Sequence, residues 1–159
     1  MADRPRQQRR GRKIAMTDAE VGQFLSVERT CRVASVGSDG PHATPLWFCW
    51  DGSALWLYSL TRSQRWTDLA RDPRIGVVVD AGVEYLELRG VELTGRVEVV
   101  GDAPRTGDVD EPALREPEQL FAGKYFGGRE NMYHDGKHGW LRLVPDKIVS
   151  WDFRKLAAG

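Results

Sequence analysis

The sequence predicts a mainly antiparallel β-barrel of six to seven strands with two or three short helices packed on it, and three observations carry that expectation. Short apolar runs recur at hairpin spacing along most of the 159 residues. Two of them are joined by Asp51-Gly52, a pair suited to the positive-φ positions of a tight hairpin turn. Helical patterns are few and do not alternate with strands, and no Gly-rich dinucleotide loop is present, which disfavours a doubly wound parallel sheet.

Each element has its own local reason. Residues 1–15 carry Arg4, Arg6, Arg9, Arg10, Arg12 and Lys13 without an apolar partner, the composition of an unstructured leader, so a single domain is expected over 16–159. Thr17-Asp18-Ala19-Glu20 has the form of a capping box, with Val21, Phe24 and Leu25 on one helical face, which predicts a helix over 18–26. Thr30–Val36 alternates as a strand, turns at Gly37-Ser38-Asp39-Gly40 and leads into strands His42–Trp50 and Ala54–Ser59. Ser63 is placed to cap a helix running to Arg71 and ended by Asp72-Pro73.

Ile75–Val79 is a continuous apolar run, as expected for a strand covered on both faces. In Glu84–Val100 the alternation slips phase between Leu86 and Leu88 on one side and Val91, Leu93, Val97 and Val99 on the other, which predicts a bulge near Arg89-Gly90. Gly101–Pro117, rich in Gly, Pro and acids, reads as a loop without an active role. Leu120, Phe121, Tyr125 and Phe126 predict a helix over 118–126 closed by Gly127-Gly128. Gly139–Val144 and Lys147–Phe153 read as two strands separated by Pro145-Asp146.

Composition narrows the function. Net charge is zero with 29% charged residues, which argues against a dedicated nucleic-acid binder. No apolar run reaches the roughly 18 residues of a membrane span and none follows the basic stretch as a secretory signal would, so no membrane partner and a cytoplasmic location are expected. Cys31 and Cys49 fall in strands as buried thiols, and with His42, His134 and His138 they show no metal-ligand spacing.

No side-chain catalyst emerges. His42 reads as a half-exposed strand histidine rather than a general base, His134 and His138 as a solvated pair about the Asp135-Gly136 turn, and no nucleophile elbow or Cys/His pairing is present. Thr61-Arg62-Ser63-Gln64-Arg65 is different. A helix start with free N–H groups, two hydroxyls and two guanidiniums favours a phosphate. An oligonucleotide-binding barrel, with bases on Trp47 or Trp56 and phosphates on Arg62 or Arg65, is the competing reading.

Gly40-Pro41-His42-Ala43-Thr44-Pro45-Leu46-Trp47-Phe48, then Ser63-Gln64-Arg65-Trp66-Thr67-Asp68-Leu69 and Asp72-Pro73-Arg74, resembles the pyridoxamine 5'-phosphate oxidase-like family of flavin-binding split β-barrels. Arg32–Val36 and Pro145–Trp151 extend the resemblance to roughly residues 17 to 155. Two positions depart from the pattern. The family's usual Lys is Arg65 here, which keeps the charge and gains a fork, and its usual Asn is Asp68, which changes one polar contact.

The resemblance implies a flavin- or deazaflavin-dependent oxidoreductase in which the cofactor supplies the hydride chemistry, with no catalytic side chain and no metal. It implies that Thr44, Pro45, Leu46 and Trp47 face the ring, that Ser59, Leu60, Thr61 and Ser63 supply hydrogen bonds, and that Gln64 and Arg65 hold the phosphate. The carboxyl-terminal Arg-X-His signature of a true pyridoxamine-phosphate oxidase is absent from Trp151-Asp152-Phe153-Arg154-Lys155. Of the basic residues 18 are Arg and 5 are Lys, a bias of GC-rich genomes that leans the cofactor toward coenzyme F-420 over FMN. A non-catalytic flavin or haem carrier is the alternative. The resemblance also implies a homodimer with the cofactor at its interface, where the Lys124-Tyr125 region or the Trp140 and Trp151 strands of one subunit would lie over the other's Pro45–Trp47.

Overall fold

In the computed structural model, which describes residues 4–127 and 132–158, the alternating segments become six strands: β1 (Thr30–Gly37), β2 (Gly40–Trp50), β3 (Leu55–Leu60), β4 (Arg74–Ala81), β5 (Arg89–Val100) and β6 (His138–Asp152). They close in the order β1-β2-β3-β6-β5-β4, each pair antiparallel, with β4 returning to β1. Three helices flank them, α1 (Asp18–Val27), α2 (Gln64–Arg71) and α3 (Arg115–Tyr125). The mainly β barrel expected from the sequence is the observed fold.

The barrel interior is filled by Cys31, Val33, Phe48, Leu55, Leu57, Val77, Val79, Val91, Leu93, Leu141 and Leu143, with Phe24 and Leu25 of α1 and Leu69 of α2 joined to them. Full burial of side chains of this size contributes about 1.5–3 kcal/mol each. The capping box on α1 is complete, with Thr17 Oγ1 accepting from Glu20 N–H and Glu20 from Thr17 N–H. A second cluster lies outside the barrel, where Leu114, just ahead of α3, and Phe121 and Tyr125 of α3 pack with Trp56, Tyr58 and Trp140. β3 is therefore the strand buried on both faces, Leu55 and Leu57 inward and Trp56 and Tyr58 under α3.

Several expectations are corrected. Ile75–Val79 alternates instead of being covered twice: Ile75, Val77 and Val79 are buried, while Gly76 and Val78 on the outer face are only half-buried. The phase slip in Glu84–Val100 is not a bulge at Arg89-Gly90: Tyr85–Glu87 is a 3-10 turn outside the strand, and the register shift falls at Thr94/Gly95. Pro145 does not end a strand. It lies opposite Gly95 at that shift, where a missing N–H does no harm, so β6 runs unbroken for 15 residues. α3 begins at Arg115, ahead of the expected start, and Gly128 lies outside the described residues.

The supposed idle loop has a buried anchor. Arg105 is 5% exposed, with its guanidinium donating to Glu118 Oε1 (2.9 Å), Asp102 Oδ1 (3.0 Å) and Val109 O (2.7 Å). His134 and His138 are not solvated either. His134 Nε2 lies 3.1 Å from the same Glu118 oxygen, while His138 Nδ1 lies 2.7 Å from Asp135 Oδ2 and its ring stacks on Tyr58 at 4.8 Å. The basic stretch, expected to be unstructured, lies along β6 over its described part. The Gln8 side-chain amide pairs with the Ser150 main chain (2.9 and 3.1 Å), and Arg6 N–H donates to Asp146 O.

Candidate functional site

The barrel is split between β2 and β3. Along β1, β2 is paired from Gly40 to Trp47, but towards β3 only Phe48, Cys49 and Trp50 have partners. β3 continues to Leu60 on the β6 side alone. The strands thus diverge from Phe48, and the open edges of Thr44–Trp47 and Tyr58–Leu60 face a gap. Tyr125 holds the apex: its hydroxyl accepts from Phe48 N–H (3.1 Å) and shares its proton between Arg29 O (2.7 Å) and Phe48 O (2.8 Å).

Arg65 spans this gap. Its Nε donates to Ser59 Oγ on the β3 rim (3.2 Å) and one terminal nitrogen donates to Thr44 Oγ1 on the β2 rim (2.6 Å). The guanidinium is half-buried, burial lowers its pKa, and no carboxylate pairs with it among the described residues. Among the described residues its other terminal nitrogen has no partner and is left for an anion. α2 presents it there because Ser63 caps the helix, accepting from Trp66 N–H (3.1 Å).

The ten expected site residues divide. Thr44, Ser59 and Arg65 are brought together, and Ser63 is at the adjoining helix start. Pro45 and Trp47 are exposed on the open stretch of β2, Leu46 is half-buried against the core, and Leu60 is exposed at the end of β3. Thr61 spends its N–H and hydroxyl on Lys137 O (3.0 and 3.2 Å). The Gln64 amide donates to Asp68 Oδ1 (2.8 Å), away from an anion at Arg65.

Three contacts around the gap are set by the tertiary structure. Trp47, 45% exposed, stacks flat on Tyr125 of its own chain with ring centroids 4.3 Å apart and planes 6° from parallel. Lys124 lies over the Phe48 ring, donates to Leu25 O and Phe48 O, and is pushed down to about 8 by burial. Asp68, 1% exposed, has Oδ2 2.9 Å from His42 Nδ1 but without hydrogen-bond alignment, and His42 Nε2 lies 3.3 Å from Asp39 Oδ1. Only the departure from Asn at position 68 hinted at this last group. Cys31 and Cys49 are free and buried, and burial pushes both thiols up to about 12, so neither is a nucleophile. No helix among the described residues is long and apolar enough to cross a membrane.

The family model described as pyridoxamine 5'-phosphate oxidase matches residues 17–152. A conserved hypothetical protein from Mycobacterium tuberculosis, Rv2991, is similar over 96% of this chain and 93% of its own at 33% identity, with a TM-score of 0.74. An FAD-binding protein from Mesorhizobium loti shares the fold at 19% identity and TM-score 0.63, covering 86% of this chain and 93% of its own. A protein described as an F-420 reductase does so at 23% identity and TM-score 0.57, covering 79% and 93%. Comparison with curated proteins finds no match.

Proposed function

The chain belongs to the pyridoxamine 5'-phosphate oxidase family, and from that premise we propose that it is a flavin- or deazaflavin-dependent oxidoreductase acting on a small organic substrate, with coenzyme F-420 slightly preferred to FMN. The observation that carries this reading is the half-buried Arg65 guanidinium, without a carboxylate partner among the described residues and aimed across the split of the barrel. An interior cation without a counter-ion is costly, and an anionic ligand relieves that cost. The residues fit such a cofactor. Arg65, Thr44, Ser59 and the start of α2 would hold its phosphate, while the open edge of Pro45–Trp47 and the free face of Trp47 offer hydrogen-bonding main chain and an aromatic surface to its ring. When bound, the cofactor supplies the hydride chemistry. The chain's own part is to fix the ring on the β2 edge and to keep water from one side of it. The lean towards F-420 rests on the arginine-rich composition.

Two chains are proposed to share the site. Trp47 leaves one face uncovered, and the residues expected to cover it from a second subunit are already used at home: Tyr125 stacks on Trp47 of its own chain and Trp140 is fully buried. Another surface of the partner, such as the half-exposed Trp151 side of β6, is left to close the site.

The purified protein is titrated with FMN and separately with coenzyme F-420, following fluorescence. A dissociation constant below about 100 μM for either supports the reading and the tighter ligand names the cofactor. Failure of both overturns it. Binding without reduction of any substrate would leave a carrier.

A further inference from the structure

We propose that His42 sets the charge of the anion site: its protonated ring neutralises the buried carboxylate of Asp68, one helical turn from Arg65 on α2, so that anion binding at Arg65 and proton binding at His42 reinforce one another. This deepens the reading above and rests on its anion site.

The site is built on two rungs between α2 and β2. Thr44 and His42 are two apart on β2 and therefore on one face, while Arg65 and Asp68 are three apart on α2 and likewise share a face. Arg65 joins Thr44 at 2.6 Å and Asp68 joins His42 at 2.9 Å. The second rung is enclosed. Asp68 is 1% exposed, its Oδ1 is occupied by the Gln64 amide at 2.8 Å, and its Oδ2 has no aligned donor. The ring of His42 lies close against Gly37, where a Cβ would come within 3.1 Å of Cε1 and Nε2.

The groups that face His42 are few. Asp68 approaches from α2 and Asp39, at 3.3 Å from Nε2, from the turn between β1 and β2. Arg71 of α2 is engaged at 2.8 Å with Val36 O, the residue before Gly37. Two carboxylates thus flank one imidazole, and one of them shares a helix face with the cation that would take the ligand. With the ring neutral, Asp68 is a buried negative charge one helical turn from the anion. With the ring protonated, the pair is neutral and Arg65 acts unopposed. Reciprocity follows: an anion at Arg65 must favour protonated His42 to the same extent that protonated His42 favours the anion.

The test uses sulfate, whose charge is constant from about pH 5 to about pH 9, the span in which a histidine changes charge. Its affinity is followed by the NMR signal of the Arg65 Nε–H. In the wild-type protein affinity should fall as pH rises through the titration of the His42 ring, by about fivefold or more, the lower end of couplings between two sites. Asp68→Asn, nearly isosteric, removes a constant negative charge and should tighten sulfate binding most at high pH while the dependence on His42 persists, and His42→Gln should remove that dependence. A wild-type measurement does not depend on either variant folding: the midpoint of the His42 ring signal should move up when sulfate is added. Binding with an unmoved midpoint, with a pH slope that survives in His42→Gln, or with no gain in affinity in Asp68→Asn at high pH, overturns the inference alone. No sulfate binding at any pH overturns both the inference and the anion site beneath it.

Discussion

Replacing Arg65 by Met tests the site most directly, because the two effects of the change can be separated. Met keeps the aliphatic stem and deletes the guanidinium. In the free protein this removes two charge-assisted hydrogen bonds, to Ser59 Oγ and Thr44 Oγ1, and leaves the hydroxyl of Ser59, 0% exposed, without its donor. An orphaned buried hydroxyl costs about 1–3 kcal/mol. Against that, a half-buried cation with no carboxylate partner among the described residues is removed, and its desolvation penalty with it. The opposing effects are of similar size, so unfolding free energy should change by no more than about 1 kcal/mol. Ligand binding has no such compensation. A charge-assisted contact to phosphate contributes about 1.5–3 kcal/mol, so affinity for FMN or F-420 should fall about tenfold to a hundredfold. Arg65→Lys should lie between, since one ammonium keeps the charge but cannot span both rims. Urea unfolding and fluorescence titration read the two quantities. Full affinity in a folded Arg65→Met variant would refute the assignment and turn attention to Arg62.

Two further outcomes follow from the packing. Lys124 releases its proton at about 8 in the folded chain against 10.5 when unperturbed, so the unfolded chain holds more protons between those values and wild-type stability should rise over that window relative to Lys124→Met; parallel urea midpoints for the two proteins across it would refute the burial argument. Gly90→Ala should cost about 1–3 kcal/mol, since its Cβ would fall 2.4 Å from Trp151 Cζ2 and 2.9 Å from Val79 O; unchanged urea stability would mean that Trp151 swings aside freely.

What was legible in the sequence was whatever depends on near neighbours. The capping box at Thr17, the alternation of Thr30–Val36 and the Ser63 cap each need only a few consecutive residues, and each formed; the hairpin at Asp51-Gly52 formed too, but with a four-residue loop, Asp51 to Ala54, in which Gly52 alone has positive φ. Arg65 was legible as a candidate because charge and a helix start lie together in the chain. The family pattern supplied the rest of that choice.

Tertiary structure decided everything that depends on what lies across a strand or helix. A continuous apolar run does not say which face will be covered: Ile75–Val79 has the pattern of a doubly buried strand, yet β3 is the strand that α3 covers. Pro145 reads locally as a break, and only the register shift opposite Gly95 shows why β6 passes through it. The same holds for the site. Thr61 and Gln64 have the right chemistry for a phosphate, but hydrogen bonds are short and directional, and here their donors are spent on Lys137 and Asp68. His42 and Asp68 lie far apart in the chain and are joined only because Thr44 and His42 on β2 happen to meet Arg65 and Asp68 on α2. Local sequence sets which conformations and charges are available; the pairing of one element with another sets which of those charges meet, since Coulomb and hydrogen-bond energies depend on distances that chain order does not specify.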